Sequence, residues 1–105
     1  MQFGLPDEAI SKLVALLSSN EKVRSVRLFG SRAKGNYRDG SDIDLCLDAP
    51  NLDLPEKFHL ENALDDLMLP WKVDLVIQQQ IDNSALLDHI ARVGIRLYER
   101  NRALN

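Results

Sequence analysis

The sequence predicts an α/β fold of the α+β kind, in which a mixed β-sheet of about four strands packs against helices. Four short apolar or alternating segments have the pattern of strands, and three longer segments repeat apolar residues at helical spacing. The strands and helices interleave along the chain, which favours a sheet covered by helices. With 105 residues and no internal repeat or linker, the chain is expected to form one domain over residues 1–105.

The first half of the chain is predicted to form one helix and two strands. Residues 7–19 are expected to be helical, because Pro6-Asp7-Glu8 supplies start signals and apolar residues recur at helical spacing. Residues 23–29 follow as an apolar strand. The polar, glycine-bearing segment 30–40 is interpreted as a loop, or as a short helix and a loop. Residues 42–47 alternate acidic and aliphatic side chains, which predicts a second strand.

The second half adds two helices and two strands. Residues 56–69 are predicted to be helical and to end at Pro70. The apolar positions of this helix are Phe58, Leu60, Ala63, Leu64 and Leu67. Residues 72–77 form the third predicted strand, residues 83–93 a helix that ends at a glycine, and residues 95–99 a short last strand.

The charge and composition exclude several classes of protein. A formal net charge of -3 at pH 7 argues against a general nucleic-acid binder, whose domain would be basic. No apolar run is long enough to span a bilayer, no secretory signal is evident, and the single Cys46 excludes an internal disulfide. We therefore expect a cytoplasmic protein without a membrane partner. The basic residues concentrate in one short stretch that suits a small polyanion, namely Arg24, Arg27, Arg32, Lys34 and Arg38.

Two aspartates in the second predicted strand are the first candidate site residues. Asp42 and Asp44 are two apart, so in a strand their carboxylates project from the same face. Such close like charges repel, and a hard cation such as Mg²⁺ between them would relieve the repulsion. An isolated Asp-x-Asp is also common on solvated sheet faces, and this alternative stays open on the pair alone.

A third carboxylate is expected beside this pair. Asp74 lies in the third predicted strand, between Val73 and Leu75, and would join Asp42 and Asp44 if the two strands are neighbours. Three carboxylates can hold two Mg²⁺ ions about 4 Å apart, as in enzymes that catalyse an in-line displacement at phosphorus. Taken alone, Asp74 could equally be a surface acid of an edge strand.

The turn after the first strand is a candidate phosphate site. Gly30 allows the backbone to approach a ligand closely, and Ser31 offers a hydroxyl and an N–H group. Arg32 and Lys34 can add positive charge for phosphates. An ordinary turn with solvated basic residues would have the same composition, and neither a G-x-x-x-x-G-K-[ST] nor a G-x-G-x-x-G motif occurs.

Together these residues resemble a known signature. Gly30-Ser31, ten intervening residues and then Asp42-Ile43-Asp44 are similar to the motif of the polymerase-β nucleotidyltransferase superfamily. The local sequences Phe-Gly-Ser-Arg-Ala-Lys-Gly and Ser-Asp-Ile-Asp-Leu resemble those of its minimal nucleotidyltransferase branch. The strand that carries Asp74 and the closing helix-glycine-strand over residues 90–99 continue the resemblance.

The resemblance implies a polymerase-β-like fold and a reaction. Asp42, Asp44 and Asp74 would be catalytic and bind two Mg²⁺ ions, and Asp74 would help to deprotonate the acceptor. Gly30 and Ser31 would hold the triphosphate of ATP or another NTP, with Arg32 or Lys34 assisting. An acceptor oxygen would attack the α-phosphorus and release pyrophosphate.

The resemblance also implies a partner. Minimal members commonly work with a separately encoded helical protein of the HEPN type, and in some pairs the transferase is an antitoxin that adenylylates a tyrosine of the toxin. Two alternatives stay open: an antitoxin that neutralises its partner by contact alone, and a transferase that modifies a small molecule such as an antibiotic. The sequence leaves open the nucleobase, the acceptor, the number of nucleotides transferred, and whether the chain forms a homodimer or a hetero-oligomer. His59, His89 and Cys46 are expected to have ordinary packing or surface roles.

Overall fold

The computed structural model describes residues 1–100, which form a sheet of four strands with four α-helices. The helices are α1 (Asp7–Ser18), α2 (Gly30–Lys34), α3 (Leu54–Asp66) and α4 (Ser84–Val93), with a 3-10 turn at Gln78–Gln80. The strands are β1 (Ser25–Phe29), β2 (Ile43–Asp48), β3 (Val73–Ile77) and β4 (Ile95–Glu99). Within the described residues no helix is both long and apolar enough to cross a lipid bilayer.

The strands lie in the order β3-β2-β1-β4, and the sheet is mixed. β1 pairs antiparallel with both β2 and β4, whereas β2 pairs parallel with β3 across the connection through α3. The predicted mixed sheet of about four strands is confirmed. The single-domain prediction extends over residues 101–105, which lie outside the described residues.

One face of the sheet carries the main hydrophobic core. Helices α1 and α3 cover this face, and their leucines pack against the aliphatic residues of the strands. The fully buried large side chains include Leu13, Leu17, Leu28, Ile43, Leu45, Leu47 and Ile77. Each such side chain contributes roughly 1.5–3 kcal/mol by leaving water, so this face supplies most of the driving force for folding.

A smaller cluster covers the opposite face. Ile90 of α4 packs against Phe29 and Cys46, with Val76 and Leu86 beside them. Burial raises the pKa of the Cys46 thiol to about 11, which outweighs the opposing effect of the nearby Arg27 charge. The thiol is therefore protonated at neutral pH and unreactive, in agreement with an ordinary packing role.

Three expectations about α3 are wrong. The helix begins at Leu54 rather than near Glu56, because Asp53 and Glu56 form a capping box at its start. It ends at Asp66, before the predicted stop at Pro70, where Met68 takes a left-handed φ of 57°. Phe58 was expected on the apolar face but is 53% exposed, since only Leu60 and Leu64 of the helix point into the core.

Arg32 is a buried charge that ties three segments together. Its side chain is 2% exposed, and its Nε and Nη2 donate to the carbonyl of Ser41 at 3.1 and 2.8 Å. Its Nη1 donates to the carbonyl of Phe3 at 2.9 Å. The guanidinium also lies over the rings of Tyr37 and Trp71, at 5.2 and 5.7 Å. The side chain thus fixes α2 against the N-terminal turn and against the loop that leads into β2.

We expect Arg32→Met to lower the free energy of unfolding by about 3 kcal/mol, because it leaves two partly buried carbonyls without these donors. Arg32→Lys restores one charged donor but not the two-pronged contact with Ser41, so it should cost less. Urea unfolding followed by circular dichroism measures both. Equal stability of Arg32→Met and the unsubstituted chain would contradict the structural role.

Candidate active site

A pair of aspartates on neighbouring strands forms the centre of the candidate site. In the parallel pairing of β2 with β3, Asp44 lies directly opposite Asp74, so both side chains project from the sheet face that α4 partly covers. Both residues are half-buried, and the Nζ of Lys72 lies 3.6 Å from an oxygen of Asp74. The structure therefore brings two of the three predicted acids together at one point.

The environment of Asp44 disfavours its negative charge. The pKa of Asp44 is raised to about 6, mainly by burial, then by the negative charges of Asp74 and Asp42, with hydrogen bonding to Asp74 as a smaller cause. A positive ion at this point would remove the repulsion that the pair experiences. Two hard carboxylate oxygens held side by side are ligands that suit Mg²⁺.

Asp42 is the predicted acid that does not join the pair directly. It is exposed and precedes β2 by one residue, so the strand alternation that aligns Asp44 begins just after it. Among residues 1–100, no group of three His, Cys, Asp or Glu side chains lies close enough to hold a metal ion. The expected three-carboxylate cluster is thus not formed among the described residues, because Asp42 lies outside the strand whose alternation aligns Asp44.

Gly30 brings the predicted glycine–serine turn against Asp44. Phe29, the last residue of β1, pairs with Asp44, and Gly30 follows with a φ of 73°. A Cβ atom built on Gly30 would lie 2.2 Å from an oxygen of Asp44, closer than any real contact. Only glycine therefore fits both the left-handed backbone and the space. Ser31 follows at the start of α2 and is half-buried.

His89 belongs to the site, although its sequence context did not reveal it. The backbone N–H of Gly30 donates a hydrogen bond to Nε2 of His89 at 3.1 Å. The imidazole also meets the ring of Phe29 edge to face, with centroids 6.1 Å apart. His89 thus holds the turn from the side of α4. Residues so far apart in sequence give no local signal of this contact.

Arg32 and Lys34, the two basic residues predicted to help bind phosphate, differ in their exposure to solvent. Arg32 does not fit that role, because its guanidinium is buried and all three of its nitrogens donate to backbone carbonyls. The sequence could not show that its partners would be Phe3 and Ser41. Lys34 is exposed at the end of α2, and a role in binding phosphate stays a prediction for this residue.

The aspartate pair opens into a groove of about 620 Å³ along β3. Helix α3 contributes Glu61, Asn62 and Asp65 to one wall, and Leu86 of α4 lies on another. The groove is rich in carboxylates, with Lys72 as the one basic residue that lines it among those the structure describes. A half-buried carboxylate pair beside a glycine–serine turn can hold a cation together with a phosphate-bearing ligand.

Comparison with known proteins agrees with this geometry. The family model described as polymerase beta, nucleotidyltransferase, matches residues 11–103. A protein of Methanocaldococcus jannaschii, provisionally named a protein adenylyltransferase, is 38% identical over 77 residues, which are 72% of this chain and 78% of the relative.

Two solved structures have similar folds. A toxin–antitoxin complex with AMP-PNP contains a chain that is 27% identical, with a TM-score of 0.70 over 91% of this chain and 75% of that one. A chain of the toxin–antitoxin complex MntA–HepT is 25% identical, with a TM-score of 0.69 over 90% of this chain and 74% of that one. The sequence match and the aspartate pair beside the glycine–serine turn lead to one conclusion. The chain belongs to the polymerase beta nucleotidyltransferase family.

Proposed function

We propose that this transferase moves AMP from ATP to a tyrosine hydroxyl of a separately encoded HEPN-type toxin, and so acts as its antitoxin. The observation that carries the proposal is the close approach of Gly30 to Asp44, which lies opposite Asp74 in the neighbouring strand. The relative named as a protein adenylyltransferase and the related toxin–antitoxin chain solved with AMP-PNP support the choice of nucleotide and partner.

The residues of the site suit nucleotidyl transfer. The acceptor oxygen bonds to the α-phosphorus, the bond from that phosphorus to the bridging oxygen breaks, and pyrophosphate leaves with the electron pair. Gly30 and Ser31 would orient the triphosphate through backbone and hydroxyl groups. The carboxylate of Asp74, on the open side of the pair, would take the proton of the acceptor hydroxyl. Such a reaction depends mainly on positioning and on neutralising charge.

Magnesium fits the donors present in the site. Asp44 and Asp74 offer paired carboxylate oxygens, and the raised pKa of Asp44 reflects repulsion that a cation would relieve. Two Mg²⁺ ions would be held by these residues with Asp42, and when bound they would neutralise the phosphate oxygens. The approach of Asp42 would have to accompany ion binding, because it stands apart from the pair here.

Label transfer tests the proposed function. The purified chain is incubated with α-labelled ATP, Mg²⁺ and the helical protein encoded beside it, and label is expected on a tyrosine of that protein. Asp44→Asn and Asp74→Asn should each reduce the rate by about a hundredfold or more. Asp66→Asn is the matched control, since Asp66 is an exposed acid of α3 outside the groove.

Two outcomes would contradict this proposal. If the unsubstituted chain transfers no label while Asp44→Asn still neutralises the toxin, the chain acts by contact alone. If label reaches the hydroxyl of a small molecule but not the protein, the acceptor is a small molecule rather than a protein tyrosine.

We expect Gly30→Ala to abolish transfer, because its methyl group would displace the carboxylate of Asp44. Gly35→Ala is a close control. Gly35 also has a positive φ, at 88°, but nothing lies within 4 Å of an added Cβ. Both variants should lose about 1–2 kcal/mol of stability from backbone strain, yet only Gly30→Ala should lose activity. Transfer rates and urea unfolding measure the two effects, and equal activity in both variants would contradict the steric argument.

The raised pKa of Asp44 predicts a pH-dependent stability in the absence of metal. An ordinary aspartate titrates near pH about 4, whereas Asp44 in the folded chain titrates at about 6. Between these values the folded state retains a proton that the unfolded state has released, so this residue lowers stability as pH rises. Asp44→Asn should therefore gain about 1–2 kcal/mol relative to the unsubstituted chain across this range, once solvent screening is allowed for.

Urea unfolding of both chains at several pH values, with EDTA, measures this difference. Saturating Mg²⁺ should reduce it by stabilising the ionised form of the unsubstituted chain. Parallel stability curves for the two chains would show that Asp44 titrates normally.

A further inference from the structure

The sheet face that carries Asp44 and Asp74 has a second charged pocket at its far end. This pocket is rich in arginines, whereas the groove at the aspartate pair is rich in carboxylates. The pocket has a volume of about 430 Å³. Four arginines and two acids line it, and we call it the arginine pocket: Arg24, Arg27, Arg96, Arg100, Asp48 and Glu99. Arg27 lies opposite Cys46 in the neighbouring strand, so the two side chains project from the same face. Cys46 is two residues after Asp44 in β2 and therefore shares its face, so the arginine pocket and the aspartate pair lie on one face of the sheet.

A β-bulge places two arginines side by side in this pocket. Val26 pairs with Tyr98, but the next residue, Arg27, pairs with Arg96, so β4 has one extra residue at this point. Without the bulge, Leu97 would lie opposite Arg27. The bulge therefore turns Arg96 onto the face of Arg27, although like charges directly opposite each other destabilise a sheet. As with the two aspartates, a ligand of opposite charge would offset this repulsion.

The acids of the pocket offset only part of its positive charge. Arg96 forms an ion pair with Glu99, and Arg24 lies 4.0 Å from Asp48. Within residues 1–100, Arg27 has no carboxylate at ion-pair distance.

Arg100 is held in place by the fold. It donates to three backbone carbonyls, those of Ser18, Asn20 and Val23, at 2.9 to 3.1 Å. The pocket is thus a fixed local excess of positive charge on a chain whose net charge is -3.

The mixed lining favours an acidic protein surface over a nucleic acid. Asp48 and Glu99 would repel a continuous phosphate backbone, and the chain as a whole is acidic. Carboxylate side chains presented singly can pair with Arg27 and Arg24 in the two-pronged manner that arginine allows. The pocket begins four residues along β2 from Asp44, or about 13 Å, well within the footprint of one protein interface.

We propose that the arginine pocket docks an acidic segment on the surface of the protein that accepts the nucleotide. The inference rests on the proposed function, and it adds the surface by which the acceptor is oriented. With carboxylates at one end of the face and arginines at the other, an acceptor of complementary charge binds in one direction only. The acceptor hydroxyl is thereby directed to the groove at Asp74.

Charge reversal of one arginine tests the docking role. Arg27→Glu should raise the KM for the acceptor protein by about tenfold or more, and added salt should narrow the difference. The kcat at saturating acceptor and the KM for ATP should change by less than about twofold, because the nucleotide site is untouched. Lys12→Glu makes the same change in net charge on the exposed side of α1 and should alter none of these values. If Arg27→Glu does not fold, the double variant Arg24→Gln/Arg27→Gln serves instead.

The outcomes separate the two proposals. If the unsubstituted chain labels the acceptor and Arg27→Glu has the same acceptor KM, the docking surface is wrong while the proposed function stands. If a short single-stranded RNA binds the unsubstituted chain, and Arg27→Glu loses that binding without a change in acceptor KM, the pocket serves nucleic acid and the inference is overturned. If the unsubstituted chain labels no protein, both proposals fail together.

Discussion

The parallel pairing of β2 with β3 is the constraint on which the candidate site depends. Its register sets Asp44 opposite Asp74, and a slip of one residue would send one carboxylate into the hydrophobic core. The register is held from the other face, where Leu45 and Leu75 pack as an in-register pair within that core. Burial of these aliphatic residues outweighs the repulsion between the two acids, so the alternation that stabilises the fold also assembles its charged centre.

Much of this arrangement could be predicted from local sequence, because alternation and glycine placement are local properties. Every strand was expected within two residues of its observed bounds, as was the one-sided projection of Asp44. The features that local sequence did not predict depend on contacts between residues far apart in the chain. The burial of Arg32 depends on carbonyls of Phe3 and Ser41, and the contact of His89 with Gly30 depends on where α4 crosses the sheet. The second strand was predicted to begin at Asp42 but begins at Ile43, because strand bounds are uncertain by a residue or two, and one residue decides whether alternation applies to Asp42.

The sheet face opposite the main core carries charged residues at both ends and an apolar cluster packed against α4. Ile90 and its apolar neighbours occupy the middle of this face, between the aspartate pair and the arginine pocket. The helix therefore does more than bury Phe29 and Cys46. Its His89 also accepts a hydrogen bond from the backbone N–H of Gly30 and so holds the turn beside Asp44.

The anchoring of Phe3 by Arg32 has a practical consequence for anyone who produces this protein. Met1 lies only two residues before Phe3, and the carbonyl of Phe3 shares the Arg32 guanidinium with Ser41, the residue before Asp42. A purification tag fused at residue 1 would remove the N-terminal ammonium, which lies 3.3 Å from the carboxylate of Asp7 just beyond this turn. Any shift of this turn would pass through one guanidinium to the loop that carries Asp42, so an extension of the N-terminus can alter the candidate site from a distance.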